Sequence, residues 1–157
     1  MKLKYRFLLI IAAIISIGNL NFLFSQDTRI FLNPGVKLGY TFGEDKGFTP
    51  GIEMSSVVHS TRHIAGRYAG ILLSYDMSGN FKKTHFGIEY GVGPIGISFG
   101  PSWVSENEYN YLGWSVTPYL GFILIPYYSF TFIPGNQNHH EIGSFIKFPI
   151  LIKGPSL

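Results

Sequence analysis

The chain contains no cysteine, so no disulfide and no cysteine-linked lipid can form. Charge is scarce as well. Asp, Glu, Lys and Arg make up 13% of the 157 residues, whereas aromatics reach 17%. Disordered chains and nucleic-acid-binding domains have the opposite balance. Long apolar runs are missing beyond residue 26. The longest, Tyr119 to Ile125, lies between Pro118 and Pro126 and has the length of a strand. Excess positive charge is also absent from the body of the chain. The formal net charge of +3 comes from Lys2, Lys4 and Arg6, and the other basic residues balance the acidic ones. The sequence therefore points to no nucleic-acid or other polyanionic partner.

What is present begins with an N-terminal secretory pattern. Lys2, Lys4 and Arg6 precede an apolar stretch from Phe7 to Ile17. Cleavage after Ser25 is expected. Residues 1–25 then form a signal peptide, and 26–157 form one domain.

From there the chain alternates. In Gly35 to Gly43, the residues Val36, Leu38, Tyr40 and Phe42 share one face, and Gly35, Lys37, Gly39, Thr41 and Gly43 share the other. A period of two predicts a β-strand. The large residues are apolar, and the opposite face is small, hydroxylated or charged. That sidedness suits a barrel with lipid outside and a polar interior. The pattern recurs in Phe81 to Gly93, Ile95 to Val104 and Phe48 to His59.

Eight strands are predicted: 31–43, 48–59, 67–76, 81–93, 95–104, 111–120, 122–132 and 139–150. Gly, Pro, Asn and Asp punctuate them, which predicts an antiparallel meander. The expected fold is an all-β, eight-stranded, antiparallel up-and-down transmembrane barrel. Strands of roughly 9–11 residues span a bilayer. An even strand number puts both termini at one end.

Alternation also assigns charges to the small-residue face. Lys37, Glu53, Glu89 and Lys147 all fall there. Charges of both signs inside a barrel predict an interior ion-pair network, because an isolated buried charge is costly. Phe145 shares the face of Lys147, and the seventh strand is apolar on both faces. The rings of Tyr40, Phe42, Phe48, Tyr75, Phe81, Trp103, Tyr109, Tyr111, Trp114, Tyr127 and Tyr128 fall near strand ends and are expected to form two outward girdles.

The signal segment and the runs Pro34 to Tyr40 and Phe86 to Gly93 resemble the small outer-membrane β-barrel proteins of Gram-negative bacteria. The resemblance covers the mature chain and is one of architecture. It implies an outer-membrane location, with both termini in the periplasm. It also implies two partners, membrane lipids and the outer-membrane assembly machinery. Such barrels commonly end in an aromatic residue, and this chain departs from that by ending Gly154-Pro155-Ser156-Leu157.

Candidate chemistry is sparse. Gly91-Val92-Gly93-Pro94-Ile95-Gly96 matches a dinucleotide fingerprint, but that motif must open a helix, and Pro94 with the alternation after it predicts a strand instead. His59 and His63, with His139-His140-Glu141, contain metal-ligand types at spacings unlike a zinc motif. No metal and no cofactor is expected. Some eight-stranded outer-membrane barrels modify lipid A using Ser and His. Here His59 and Ser60 are adjacent and point to opposite faces. His85 and Glu89 share a face and are the better catalytic candidates, although no serine is placed beside them. Eight strands leave an interior filled by side chains, which argues against a general pore. The leading expectation is a non-enzymatic structural or envelope-interaction role. A lipid-modifying enzyme is the alternative, followed by a secreted lipocalin-like barrel that binds an apolar ligand.

Overall fold

The computed structural model describes residues 28–43, 46–60, 66–79, 81–106, 109–121 and 123–154. The expected signal peptide, His63 and the last three residues lie outside them. The strands are β1 (Thr28–Phe42), β2 (Gly47–Ser60), β3 (Arg67–Ser78), β4 (Phe81–Val92), β5 (Ile95–Glu106), β6 (Tyr109–Leu120), β7 (Leu124–Phe132), β8 (His139–Lys147) and β9 (Ile150–Lys153). Successive strands pair antiparallel, and β1 pairs with β2 on one side and with β8 and β9 on the other. The sheet thus closes into an up-and-down barrel. Closure leaves no long unpaired edge.

The barrel has eight staves, because β9 continues β8. Gly35 pairs with Lys147 and Leu32 with Ile150, so the register is kept across the interruption. At the break, Pro34 on β1 lies opposite Phe148 and Pro149. Neither proline has an N–H to donate. The Phe148 N–H donates to the Pro34 carbonyl at 2.9 Å and holds the seam. The single last strand expected over 139–150 is therefore divided, and it runs on to Lys153.

Two other boundaries moved for a similar local reason. The polar stretch Ser105 to Asn110 reads as a loop, yet Ser105 pairs with Asn110 and Glu106 with Tyr109. The backbone ladder extends into residues whose side chains are polar, because ladder bonds do not depend on side-chain type. Gly93, at φ 57°, makes the β4–β5 connection. The glycine-rich run is thus strand, turn and strand.

The two faces are sharply divided. Along β4, Phe81, Lys83, His85, Gly87, Glu89 and Gly91 are buried, while Phe86, Ile88, Tyr90 and Val92 are exposed. Exposure of Ile52 and of Ile88 reaches 63%. The charges Lys37, Glu53, Asp76, Lys83, Glu89, Glu141 and Lys147 are all buried, among many Ser and Thr hydroxyls.

The outward rings differ from the two girdles expected. Phe81 and Tyr127 are buried, and Tyr111 packs against an interior cluster. Phe81 shares the alternation of Lys83 and His85, and Tyr127 that of Ser129, so each must face inward. Exposed Tyr40, Phe42, Phe48, Trp103, Tyr109 and Phe132 gather near the β1–β2, β5–β6 and β7–β8 connections, opposite the termini. The termini end presents mainly aliphatic residues, such as Val92, Ile95, Leu120 and Ile152.

Candidate functional site: a charged interior with one open end

The interior is arranged in layers. Beneath the β3–β4, β5–β6 and β7–β8 connections, Phe81, Val104 and Ile133 form a buried apolar cluster. The Phe81 ring stacks on His139, with centroids 4.7 Å apart. Further in lie two charged groups. A second apolar cluster of Tyr119, Ile125, Tyr127 and Phe145 lies among them.

The first group contains Lys37, Asp76, Lys83 and Glu141. Lys37 Nζ is 2.9 Å from Asp76 Oδ2 and 3.8 Å from Glu141 Oε1. Lys83 Nζ is 2.7 Å from Glu141 Oε2 and 3.4 Å from Asp76 Oδ2. The Tyr127 hydroxyl also donates to Glu141. Two cations and two carboxylates therefore balance. The second group is smaller. Lys147 Nζ lies 2.6 Å from Glu53 Oε1 and 3.2 Å from Glu89 Oε2. Tyr119 donates to Glu89 Oε2 at 3.0 Å, and Tyr68 donates to Tyr119 at 3.2 Å.

Glycines set these groupings. Gly35 pairs with Glu53 on one side and with Lys147 on the other. With no side chain between them, the two charges meet across β1. A Cβ on Gly35 would stand 3.3 Å from Lys147 Cγ and 2.8 Å from the Ile146 carbonyl oxygen. Gly51 is placed in the same way between Lys37 and Asp76. The expected network of Lys37, Glu53, Glu89 and Lys147 is thus arranged as two. Lys147 joins Glu53 and Glu89, while Lys37 joins Asp76, Lys83 and Glu141.

Those last three residues escaped the sequence reading, although signals for them existed. Lys83 keeps the alternation of Glu89. Asp76 stands at the boundary assigned to the third strand. Glu141 keeps the alternation of Lys147, but beside two histidines it reads as part of a rim.

His85 does have a serine beside it, contrary to the sequence reading. Register pairs His85 with Ser102, and His85 Nδ1 lies 2.9 Å from Ser102 Oγ and 3.1 Å from the Pro101 carbonyl oxygen. Hydroxyls continue from there. Ser102 Oγ is 2.6 Å from Ser115 Oγ, which is 2.7 Å from Thr131 Oγ1. Glu89 does not orient this histidine; it accepts from Tyr119 and Lys147 instead. Ser102 is 0% exposed. A nucleophile must meet its substrate, and this hydroxyl lies wholly inside the wall of side chains.

The histidines weighed as metal ligands are separated. His59 stands on β2 at the termini end, against Phe31. His139 packs on Phe81 at the opposite end, and His140 faces outward against Tyr128 and Phe130. No cluster of three or more His, Asp or Glu suited to a metal occurs among the described residues.

A substantial cavity opens at the termini end. Its volume is about 330 Å³, with walls that include Phe31, Val57, Tyr68, Ile123 and Ile125. Glu89, Lys147 and Tyr119 also line it. A second space, of about 10 Å³, lies deeper among His85, Ser98, Ser115, Thr117 and Ser129. It has room for about one water molecule.

The architecture is thus that of a closed eight-stranded antiparallel barrel with its polar side inward. No protein-family model, curated protein or solved structure matches the chain.

Proposed function

We propose that this is an outer-membrane β-barrel of a Gram-negative bacterium, delivered by its N-terminal signal peptide, with a non-enzymatic structural or envelope-interaction role. One observation carries the reading: the barrel is inverted relative to a soluble one. Its outer face is a continuous band that includes Ile52, Ile71, Ile88, Phe99, Leu112 and Ile146, all exposed. Leaving one such side chain in water rather than buried costs about 1.5–3 kcal/mol. Soluble monomers rarely carry so extended an apolar surface, whereas lipid removes the penalty. Inside, the buried charges lie in ion pairs and several hydroxyls are bonded to each other, as a polar interior enclosed by a sheet requires.

The apolar interior of a lipocalin-like carrier is opposed by this sidedness. A lipid-modifying enzyme is opposed by the enclosure of Ser102. Membrane lipids and the outer-membrane assembly machinery are the partners implied. Two measurements test the reading. Folded outer-membrane barrels resist SDS until boiled, so the unboiled protein should migrate faster on a gel than the boiled one. Cell fractionation should place it with outer-membrane markers. A purely soluble periplasmic pool would overturn the proposal.

A further inference from the structure

The open cavity differs in character between its walls and its mouth. Phe31, Val57, Tyr68, Ile123 and Ile125 make the walls largely apolar. Ile123 is also 64% exposed, so the lip is apolar too. The charges that line the cavity are Arg29, Lys147 and Glu89. Lys147, at the floor, is already held by Glu53 at 2.6 Å and by Glu89 at 3.2 Å. Arg29, at the mouth, has no carboxylate within 4.0 Å among the described residues. His59 stands opposite Arg29 in the β1–β2 register and lines the same mouth. The rim around them is basic. Lys153 on β9 and Arg67 on β3 are exposed there, so the neighbouring strands β9, β1, β2 and β3 carry Lys, Arg, His and Arg in turn. The described carboxylates lie elsewhere: Glu53, Asp76, Glu89 and Glu141 are buried inside, and Glu106 stands at the opposite end. In sequence the rim adjoins Arg62 and Asp27, both outside the described residues, whose charges offset one another.

We propose that this cavity binds a single apolar chain ending in a carboxylate, with the chain inside and the carboxylate at the mouth. A carboxylate gives the Arg29 guanidinium a planar partner for paired hydrogen bonds. The His59 imidazole can donate a further N–H beside it. An alcohol would leave the guanidinium charge unanswered, and an ammonium would be repelled. The basic rim also draws anions toward the opening. The head does not go deeper, because Lys147 already serves two carboxylates and Glu89 would repel a third. Val57, Ile125 and the ring of Phe31 take the apolar chain out of water. The volume of about 330 Å³ lies at the small end of ligand pockets, which suits one chain better than the two of a phospholipid.

Calorimetric titration with octanoate, octanol and octylamine tests the proposal. The full chain is used in phosphatidylcholine nanodiscs, with empty nanodiscs as the blank. Octanoate should bind saturably and more tightly than octanol, and octylamine most weakly. Added salt should bring octanoate toward octanol, because the mouth is open to water. Arg29→Glu reverses an exposed charge, and it should weaken octanoate by about tenfold and strengthen octylamine. Lys82→Gln, at an exposed position near the opposite end, should change neither. Val57→Trp should fill the cavity and abolish binding, and circular dichroism identifies any variant that fails to fold. No saturable binding of octanoate, octanol or octylamine binding as tightly as octanoate, unchanged affinity in Arg29→Glu, or full binding in a folded Val57→Trp would overturn the proposal. Such binding does not require a membrane location. A chain that fails to enter nanodiscs counts against that location alone, and the same titration is then run in buffer.

Discussion

Lys83 on β4 and Glu141 on β8 meet across the barrel interior at 2.7 Å, though 58 residues separate them in sequence. Neither strand pairs with the other, so this contact ties opposite walls together. Removing one partner leaves a buried charge without compensation, which costs about 3–5 kcal/mol. Lys83→Met should therefore lower the free energy of unfolding by about that amount in a urea titration. The double variant Lys83→Met/Glu141→Leu leaves Lys37 and Asp76 as a balanced pair, and it should recover most of the loss. A double variant as unstable as the single one would show that the tie does not act through charge balance.

The position of glycine inside the barrel makes a second prediction. A Cβ on Gly39 would stand 2.6 Å from Tyr127 Oη and 2.7 Å from Glu141 Oε1, inside the balanced ion group. Gly39→Ala should destabilise by about 1–3 kcal/mol, the usual cost of overpacking. Gly47→Ala meets Ser78 Oγ alone, and that hydroxyl can rotate away. Denaturation midpoints should fall for the first variant and stay close to the original for the second.

The outer face tests the membrane reading directly. Ile88 lies in the middle of β4, between Ile71 on β3 and Phe99 on β5. Within a bilayer, Ile88→Arg should cost about 2–4 kcal/mol, as charges do near the membrane midplane. Folding into phospholipid vesicles, followed by urea titration, measures it. A substitution that leaves vesicle folding intact and raises solubility would argue for water as the natural surroundings.

His85 supplies the fourth prediction. His85→Ala removes one of the two hydrogen-bond partners of Ser102, which keeps Ser115, so the loss should appear in stability, at about 0.5–1.5 kcal/mol for the lost hydrogen bond. The lipid-A profile of cells carrying the variant should be unchanged. Loss of a lipid modification, with stability preserved, would restore the enzyme reading.

The extent to which such features can be read from sequence follows from what alternation encodes. Alternation assigns each residue to a face, and that sufficed for the closed eight-stranded barrel and for the inward placement of Lys37, Glu53, Glu89 and Lys147. It carries no information about neighbours around the circumference. That depends on register, where Gly35 brings Glu53 to Lys147 and Gly51 brings Lys37 to Asp76. Asp76 was hidden at a strand boundary, and boundaries are set by ladder bonds that ignore side-chain type. Phe81 and Tyr127 read as girdle rings because aromatic character suits both a membrane interface and a packed interior. Their alternation with Lys83 and Ser129 decides between the two. Ser102 lay beyond reach for the same reason as Asp76: its place beside His85 exists only once β4 and β5 are in register.

The apolar cluster of Phe81, Val104 and Ile133 acts as a stopper. With it in place the barrel is a blind vessel, open at the end that carries both termini. A solute inside must leave by the mouth through which it came. On the proposed membrane placement, such a vessel would not equalise concentrations across the bilayer, and a voltage across it would drive no current. On that placement, whatever enters the cavity would come from the compartment that the termini face.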